Sequence, residues 1–344
     1  MELDLETFLT TLYVITDDLY ATSVRPRLPA TGGPAPKLSD SEVLCLGLTA
    51  HWRSGVPWKT ERSFVRYTLK HLRAYFPHMT SQSAFNRRLR RLWGAFILIQ
   101  QAVADQLWCA QDCEIMDCVP VPIARGARAF HPGWLADIAR IGKGGNDRYF
   151  YGLHLLLVVS ASGVATGWTL AAGNIQDRWL AELLLSSRAG QPQLTGPQAD
   201  DGTPRLKPPT DWIGPVQSCG RRRNCPLLAD LGYAGDDWQQ HWSEYATAVL
   251  TPPVWERHSA RIWFSSVRQA IETAFAALVD SFGLHFPRAH CTWGLLTRIG
   301  AKIADYNIGI SVVSPDPQHA PARARKPTST CSPDRHLGLH FRKK

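Results

Sequence analysis

The 344-residue sequence predicts a mixed α/β sheet flanked by helices and preceded by an all-helical domain. Apolar residues recur at helical spacing through the first 111 positions, whereas from residue 112 short apolar runs alternate with amphipathic stretches. The chain is also longer than one domain usually is, and 44% hydrophobic residues suffice for two cores.

In the helical part, "KLSDSEVLCLGLTAHW" offers Ser39 as N-cap with Glu42 three positions on, a capping box before an apolar-periodic run. "TERSFVRYTLKHLRAYF" carries Phe64, Tyr67, Leu69, Leu72 and Phe76 near helical spacing, and Pro77 is its expected end. "SQSAFNRRLRRLWGAFILIQQAVADQLW" reads as one long helix whose first turns hold Arg87, Arg88, Arg90 and Arg91. Two helices joined by "PHMTSQS" fit a helix-turn-helix that presents these arginines to DNA; a solvated basic face on a bundle fits equally.

"EIMDCVPVPIA" is the first strand, and "RYFYGLHLLLVVSAS" with "VATGWTLAAG" forms a hairpin turning at Ser162 and Gly163. "NIQDRWLAELLLSSR" reads as a helix after Asn174, and 190–224, rich in Pro, Gly and charge, as a loop insertion. "CPLLADLGYAG" returns to strand, "DDWQQHWSEY" to helix, "ATAVLTPP" to strand and "SSVRQAIETAFAALVDSF" to a strong helix. Three strands, a helix, then strand, helix, strand, helix make a mixed sheet of the ribonuclease-H-like kind over 112–313. The basic, Pro-rich tail 314–344 reads as disordered.

Lys+Arg of 38 against Asp+Glu of 29 leaves +9, which favours an acidic partner such as nucleic acid. Eight scattered cysteines lack a secreted disulfide framework, and Cys219 and Cys225 lack a second close Cys/His pair for structural zinc. The acidic amino terminus "MELDLETFLTTLY" is expected to be neither a signal nor a transit peptide. The apolar run at 153–173 is broken at turn-like positions, so a soluble, cytoplasmic protein is expected.

Asp117 stands inside the apolar strand "EIMDCVPVPIA", where an ionised carboxylate is costly unless paired, hydrogen-bonded or metal-bound. Asp230 ends another apolar run, and Glu272 flanks the apolar stripe Val267, Ile271, Ala274, Phe275, Leu278, expected to look along the sheet edge near Arg268. Three converging carboxylates stay ionised only around a cation, and hard oxygen ligands select Mg²⁺ or Mn²⁺. Two ions about 3.5–4 Å apart can drive in-line attack on a phosphodiester. Each acid also has a plain structural role open to it: Asp117 can cap a turn or pair with an arginine, Asp230 can start the "DLGYAG" turn, and Glu272 can pair with Arg268.

These pieces, "MDCVPVPI", "GNIQDRWLAELLL", "ADLGYAG" and "VRQAIETAF", resemble the DDE transposases of bacterial insertion sequences, from about residue 38 to 310. The resemblance implies a metal-binding catalytic triad of Asp117, Asp230 and Glu272 with two Mg²⁺ or Mn²⁺ ions. It implies cleavage at terminal inverted repeats, strand transfer into target DNA, and a homodimer on DNA in the bacterial cytoplasm, nucleoid-associated when bound. Arg268 matches the arginine one turn before the glutamate; a tyrosine and a lysine found in many members are Ser265 and Val279 here.

Asp177 looks like an acid often found near the triad in related transposases, and helix N-capping explains it as well. His154 is a secondary candidate whose default is a sheet histidine. Arg140, Lys143 and Arg148 in "IARIGKGGNDR" read as a phosphate-contacting loop, without P-loop spacing. Trp134, Trp168 and Trp179 can stack on a flipped base or pack in a core.

Overall fold

The computed structural model describes residues 4–29, 34–53, 55–107, 113–124, 133–144, 149–199, 201–218, 225–252 and 258–313, the side chains of 258–262 excepted. Arg148, Cys219 and the tail 314–344 lie outside the described residues. The chain divides into a helical unit, Met1–Val103 with Ala276–Val313, and a sheet unit, Ala104–Phe275. The sequence-derived catalytic domain of 112–313 therefore loses 276–313 to the helical unit.

The helical unit contains α1 (Leu5–Leu19), α2 (Asp40–Thr49), α3 (Glu61–His71), α4 (Gln82–Arg91), most of α5 (Trp93–Leu107), the last turn of α8 (His258–Asp280) and α9 (Thr292–Val313). Ser39 and Glu42 close the expected capping box on α2, Ser39 Oγ accepting from the Glu42 amide and Glu42 from the Ser39 amide. Every residue from Val43 to Leu48 is buried, as are most of those from Leu295 to Ile308 in α9. A helix buried nearly all round must be enclosed, and α9 packs on α2 and α4, which is why 276–313 belongs here. Gly47 permits the close approach: a Cβ there would meet Leu89 Cδ2 at 2.6 Å and Phe96 Cζ at 2.8 Å.

Two helical expectations need correction. α3 ends at Leu72 (φ −110°, ψ 17°), short of Pro77, because the chain turns to bury Phe76. The connection to α4 is consequently much longer than a helix-turn-helix turn, three to four residues. The long arginine-led helix is broken at Leu92 (φ −94°, ψ 14°) into α4 and α5.

The sheet unit holds a seven-stranded sheet of β1 (Glu114–Ala124), β2 (Arg140–Lys143), β3 (Tyr149–Ser160), β4 (Ala165–Ala172), β5 (Gln217–Ser218), β6 (Leu227–Leu228) and β7 (Val249–Leu250). Its order is β5-β4-β3-β1-β6-β7, with β2 on β3. β3 runs antiparallel to β1 and β4, while β6 and β7 run parallel to β1. β3 and β4 turn through Gly163 at φ +86°, as the sequence suggests. α6 (Asp177–Arg188) and α7 (Asp236–Ser243) bury Trp179, Leu184, Trp238 and Trp242 in one cluster with Met116, Leu156 and Val158.

The unit departs from expectation twice. Arg140–Lys143 is a strand, because the β3 edge supplies its ladder, instead of a free phosphate-contacting loop. The 190–224 insertion adds β5 and the Ala171–Ile213 bridge along β4, so it closes a sheet edge in part. No helix among the described residues is long and apolar enough to cross a membrane.

Candidate active site

Successive side chains of a strand point to opposite faces, and this sorts β1. Met116 and Cys118 join the cluster beneath α6 and α7, which turns Asp117 to the other face. The parallel register pairs Glu114 with Leu227 and Ile115 with Leu228, where β6 ends; Asp230 follows two residues on, near enough to Asp117 for its charge to act on that carboxyl. The two carboxylates are therefore near neighbours at the end of β6 beside β1.

The site is charged and half-buried. Asp117 is 19% exposed at the side chain, and its Oδ2 accepts from Arg268 of α8 at 3.0 Å. Its Oδ1 accepts from the Cys118 amide at 2.8 Å. Burial, with the Asp230 charge adding to it, pushes the Asp117 carboxyl up to about 6, against the pull of the Cys118 amide and Arg268. Asp230 Oδ1 accepts from the Gly232 amide at 2.9 Å and opens the 3₁₀ turn Leu231–Tyr233. A Cβ on Gly232 would lie 2.9 Å from Asp230 Oδ1, so a larger residue there would shift that carboxylate.

Glu272 does not join them. It is exposed on α8, one turn beyond Arg268, and faces solvent instead of looking along the sheet. The stripe Ile271, Ala274, Leu278 is fully buried, so the next residue round the helix is turned outward. Among the described residues no group of three His, Cys, Asp or Glu side chains is arranged to hold a metal ion. Two of the three expected carboxylates thus converge, and the cation at Asp117 is a guanidinium.

Behind β1, on the face with Cys118, lies a second polar group. Tyr233 donates its hydroxyl to Cys118 Sγ at 3.3 Å, and His154 Nδ1 is 3.4 Å from Asp177 Oδ1 and 3.3 Å from the Ile175 carbonyl. Asp177 is the first residue of α6, but the cap position is Gln176 and no side chain caps it. Burial pushes both the Cys118 thiol and the Tyr233 hydroxyl well up, with Asp177 adding to each, so the thiol stays protonated and unreactive.

Sequence reasoning missed Arg178, the next residue along α6. Its guanidinium donates to the carbonyls of Gly232 (2.8 Å) and Ala234 (2.6 Å), fastening the turn that carries Asp230. An arginine one position after Asp177 gave no signal, because its partners are backbone carbonyls.

The remaining candidates fall elsewhere. Arg140 pairs with Asp211 at 2.9 Å and donates to two carbonyls, a structural role that ties β2 to the insertion. Lys143 ends β2. Trp168 and Trp179 are core residues, 0% and 5% exposed, which removes them as stacking surfaces; Trp134 is 57% exposed. Arg87, Arg88, Arg90 and Arg91 all sit on α4 in the helical unit.

Comparison with known protein families, with curated proteins and with solved structures finds no match to this chain.

Proposed function

We propose that the chain is a DDE-type insertion-sequence transposase, cutting DNA at terminal inverted repeats and transferring the freed 3′-hydroxyl to target DNA. One observation carries the reading: a carboxylate in β1 and one just past the end of the adjacent parallel strand β6 act on each other, and the first is held above its usual range by burial and by the second. A half-buried pair of carboxylates that repel each other is a seat for a hard divalent cation. The ribonuclease-H-like reading draws support from the succession β1, β3, β4, α6, β6, α7, β7, α8 around a central β1, which is the succession that the sequence sets out for that fold.

Mg²⁺ or Mn²⁺ held by Asp117 and Asp230 would activate a water or 3′-hydroxyl and neutralise charge at the phosphodiester. The chain's own residues do the rest. Arg268 balances Asp117 now and, 25% exposed, can turn toward a DNA phosphate. Arg178 keeps Asp230 in register with Asp117 through its two carbonyl bonds. Glu272 lies one helical turn from Arg268 and reaches the pair only if α8 or its own side chain moves.

The exposure of Glu272 favours one second reading, a transposase-derived protein that binds DNA without cutting it. A nuclease that cuts without joining is the third outcome. A supercoiled plasmid carrying the DNA that flanks the gene, incubated with Mg²⁺, Mn²⁺ or EDTA, separates them. Metal-dependent cutting and joining, lost in Asp117→Ala, Asp230→Ala and Glu272→Ala while DNA binding survives, is the expected result. Cutting without joined product indicates the nuclease. Activity that survives Asp117→Ala overturns the assignment.

A further inference from the structure

α6 is tied to both acid-bearing segments of the sheet. At its end Arg188 donates to Glu114, which precedes Asp117 in β1. At its start Arg178 holds the Gly232 and Ala234 carbonyls, in the turn that Asp230 opens. Between these two cations stands Glu182, a fully buried acid that the candidate site does not use.

A carboxylate in the core is costly unless its oxygens are satisfied, and the partners of Glu182 all come from α7 and the residues that follow it. His241 Nε2 lies 2.8 Å from Oε1, Trp242 Nε1 donates to Oε2 at 3.0 Å, and the Tyr245 hydroxyl donates to Oε1 at 2.8 Å. Burial and the bond to Glu182 push that hydroxyl up to about 12, so it stays a donor at neutral pH. α7 in turn is fastened to the Asp230 turn. Gly235 alone separates Ala234 from α7, and Gln239 of α7 donates to the Tyr233 carbonyl at 3.2 Å. A shift of α7 is therefore carried into the turn. Trp179 and Trp238, with ring centroids 5.2 Å apart, pack the two helices together, but apolar contact is non-directional and permits sliding. Directed bonds from three side chains to one carboxylate fix both the distance and the rotation of α7 against α6.

We propose that Glu182 is a positioning residue of the candidate active site: by holding α7 through His241, Trp242 and Tyr245, it sets where Asp230 stands beside Asp117. The anchor stands on this geometry alone; its consequence for a bound cation rests on the metal seat proposed above.

Two measurements on the full chain test it. Glu182 itself is left in place, since its loss would strand three buried polar groups. His241→Leu and Tyr245→Phe each remove one partner, His241→Gln keeps an N–H donor, and Arg205→Gln, in the exposed pair of Arg205 with Asp237 of α7, is the control. In hydrogen exchange of the metal-free protein, the amides of Gly232, Tyr233 and Ala234, each bonded within the turn, should lose protection in His241→Leu and Tyr245→Phe. They should keep it in His241→Gln and in the control, while the β3 amides stay protected in every variant. In calorimetry, Mn²⁺ affinity should fall by about tenfold in the same two variants, the low end for groups that stand behind a metal ligand, with His241→Gln close to wild type. Turn amides that stay protected in both variants overturn the anchor. Loosened amides with unchanged Mn²⁺ affinity mean that these bonds fold α7 without placing Asp230, which overturns the positioning role. Mn²⁺ uptake that is equal in wild type and Asp117→Ala overturns the metal seat instead, and the exchange result, which needs no metal, then decides the anchor by itself.

Discussion

Asp117 shows how one residue reports on its surroundings. Its carboxyl is raised from 3.8 to about 6, so the folded protein keeps a proton that the unfolded chain releases. The native state is therefore favoured below pH ~4, loses that advantage between pH ~4 and ~6, and carries the full penalty above. Asp117→Asn should stabilise the metal-free protein by up to about 3 kcal/mol at pH 8, with the gain vanishing toward pH 4; chemical denaturation at the two pH values measures it. Arg268 gives a second prediction. Since its guanidinium already neutralises Asp117 at 3.0 Å, it competes with any ion there. Arg268→Ala should bind Mn²⁺ on the order of tenfold more tightly by calorimetry, and unchanged or weaker binding would show that the arginine helps to seat the ion. Both acids of this pair are legible in the sequence, because a carboxylate amid apolar strand residues demands a partner. The identity of the partner is not legible, since Arg268 is remote in sequence and only the packing of α8 brings it there.

Elements differ in how far they are written locally. The α2 capping box is a four-residue signal that needs nothing from the rest of the chain, and it forms as read. β2 has no local signal, because "RIGK" lacks alternation and becomes a strand only where β3 offers it a ladder. The same holds for Glu114 at the start of β1, a buried acid that reads as the polar edge of an apolar run. It is 0% exposed, accepts from Arg188 of α6 at 2.6 Å and 3.3 Å, and receives the Thr166 hydroxyl. This pair joins β1 to α6. Arg188→Ala should cost roughly 3–5 kcal/mol by leaving a buried charge unpaired, whereas Glu114→Gln/Arg188→Met should recover most of that loss. Urea denaturation of the three proteins distinguishes a charge effect from lost packing, which the double variant would not recover.

At the scale of the whole molecule, the boundary at 111 captures the change from helical to strand periodicity but not the return of the chain to the helical unit. Periodicity marks α9 as buried, and it cannot say against what. The answer lies in contacts with α2 and α4, some two hundred positions upstream. A fragment of residues 1–111 should consequently be largely unfolded by circular dichroism, while the same fragment joined to 276–313 through a flexible linker should regain cooperative melting. A cooperative transition in the short fragment would mean that α1 to α5 suffice. Within α9, Lys302 and Asp305 are buried at 2% and 0% exposure, and Lys302 donates to the Phe282 carbonyl. Burial lowers the Lys302 amine and raises the Asp305 carboxyl, so misplacing this helix strands polar groups in the core.

The split of the helical unit across the sequence also orders its birth. Ribosomes add about 5–20 residues per second, so α1 to α5 emerge on the order of ten to forty seconds before α9. During that interval the faces of α2 and α4 that α9 will cover have no partner, while the sheet strands are still being delivered. A message truncated anywhere before residue 292 yields helices without their central pillar. Such a product is material for chaperones and proteases, and only chains translated to α9 can display a finished helical unit.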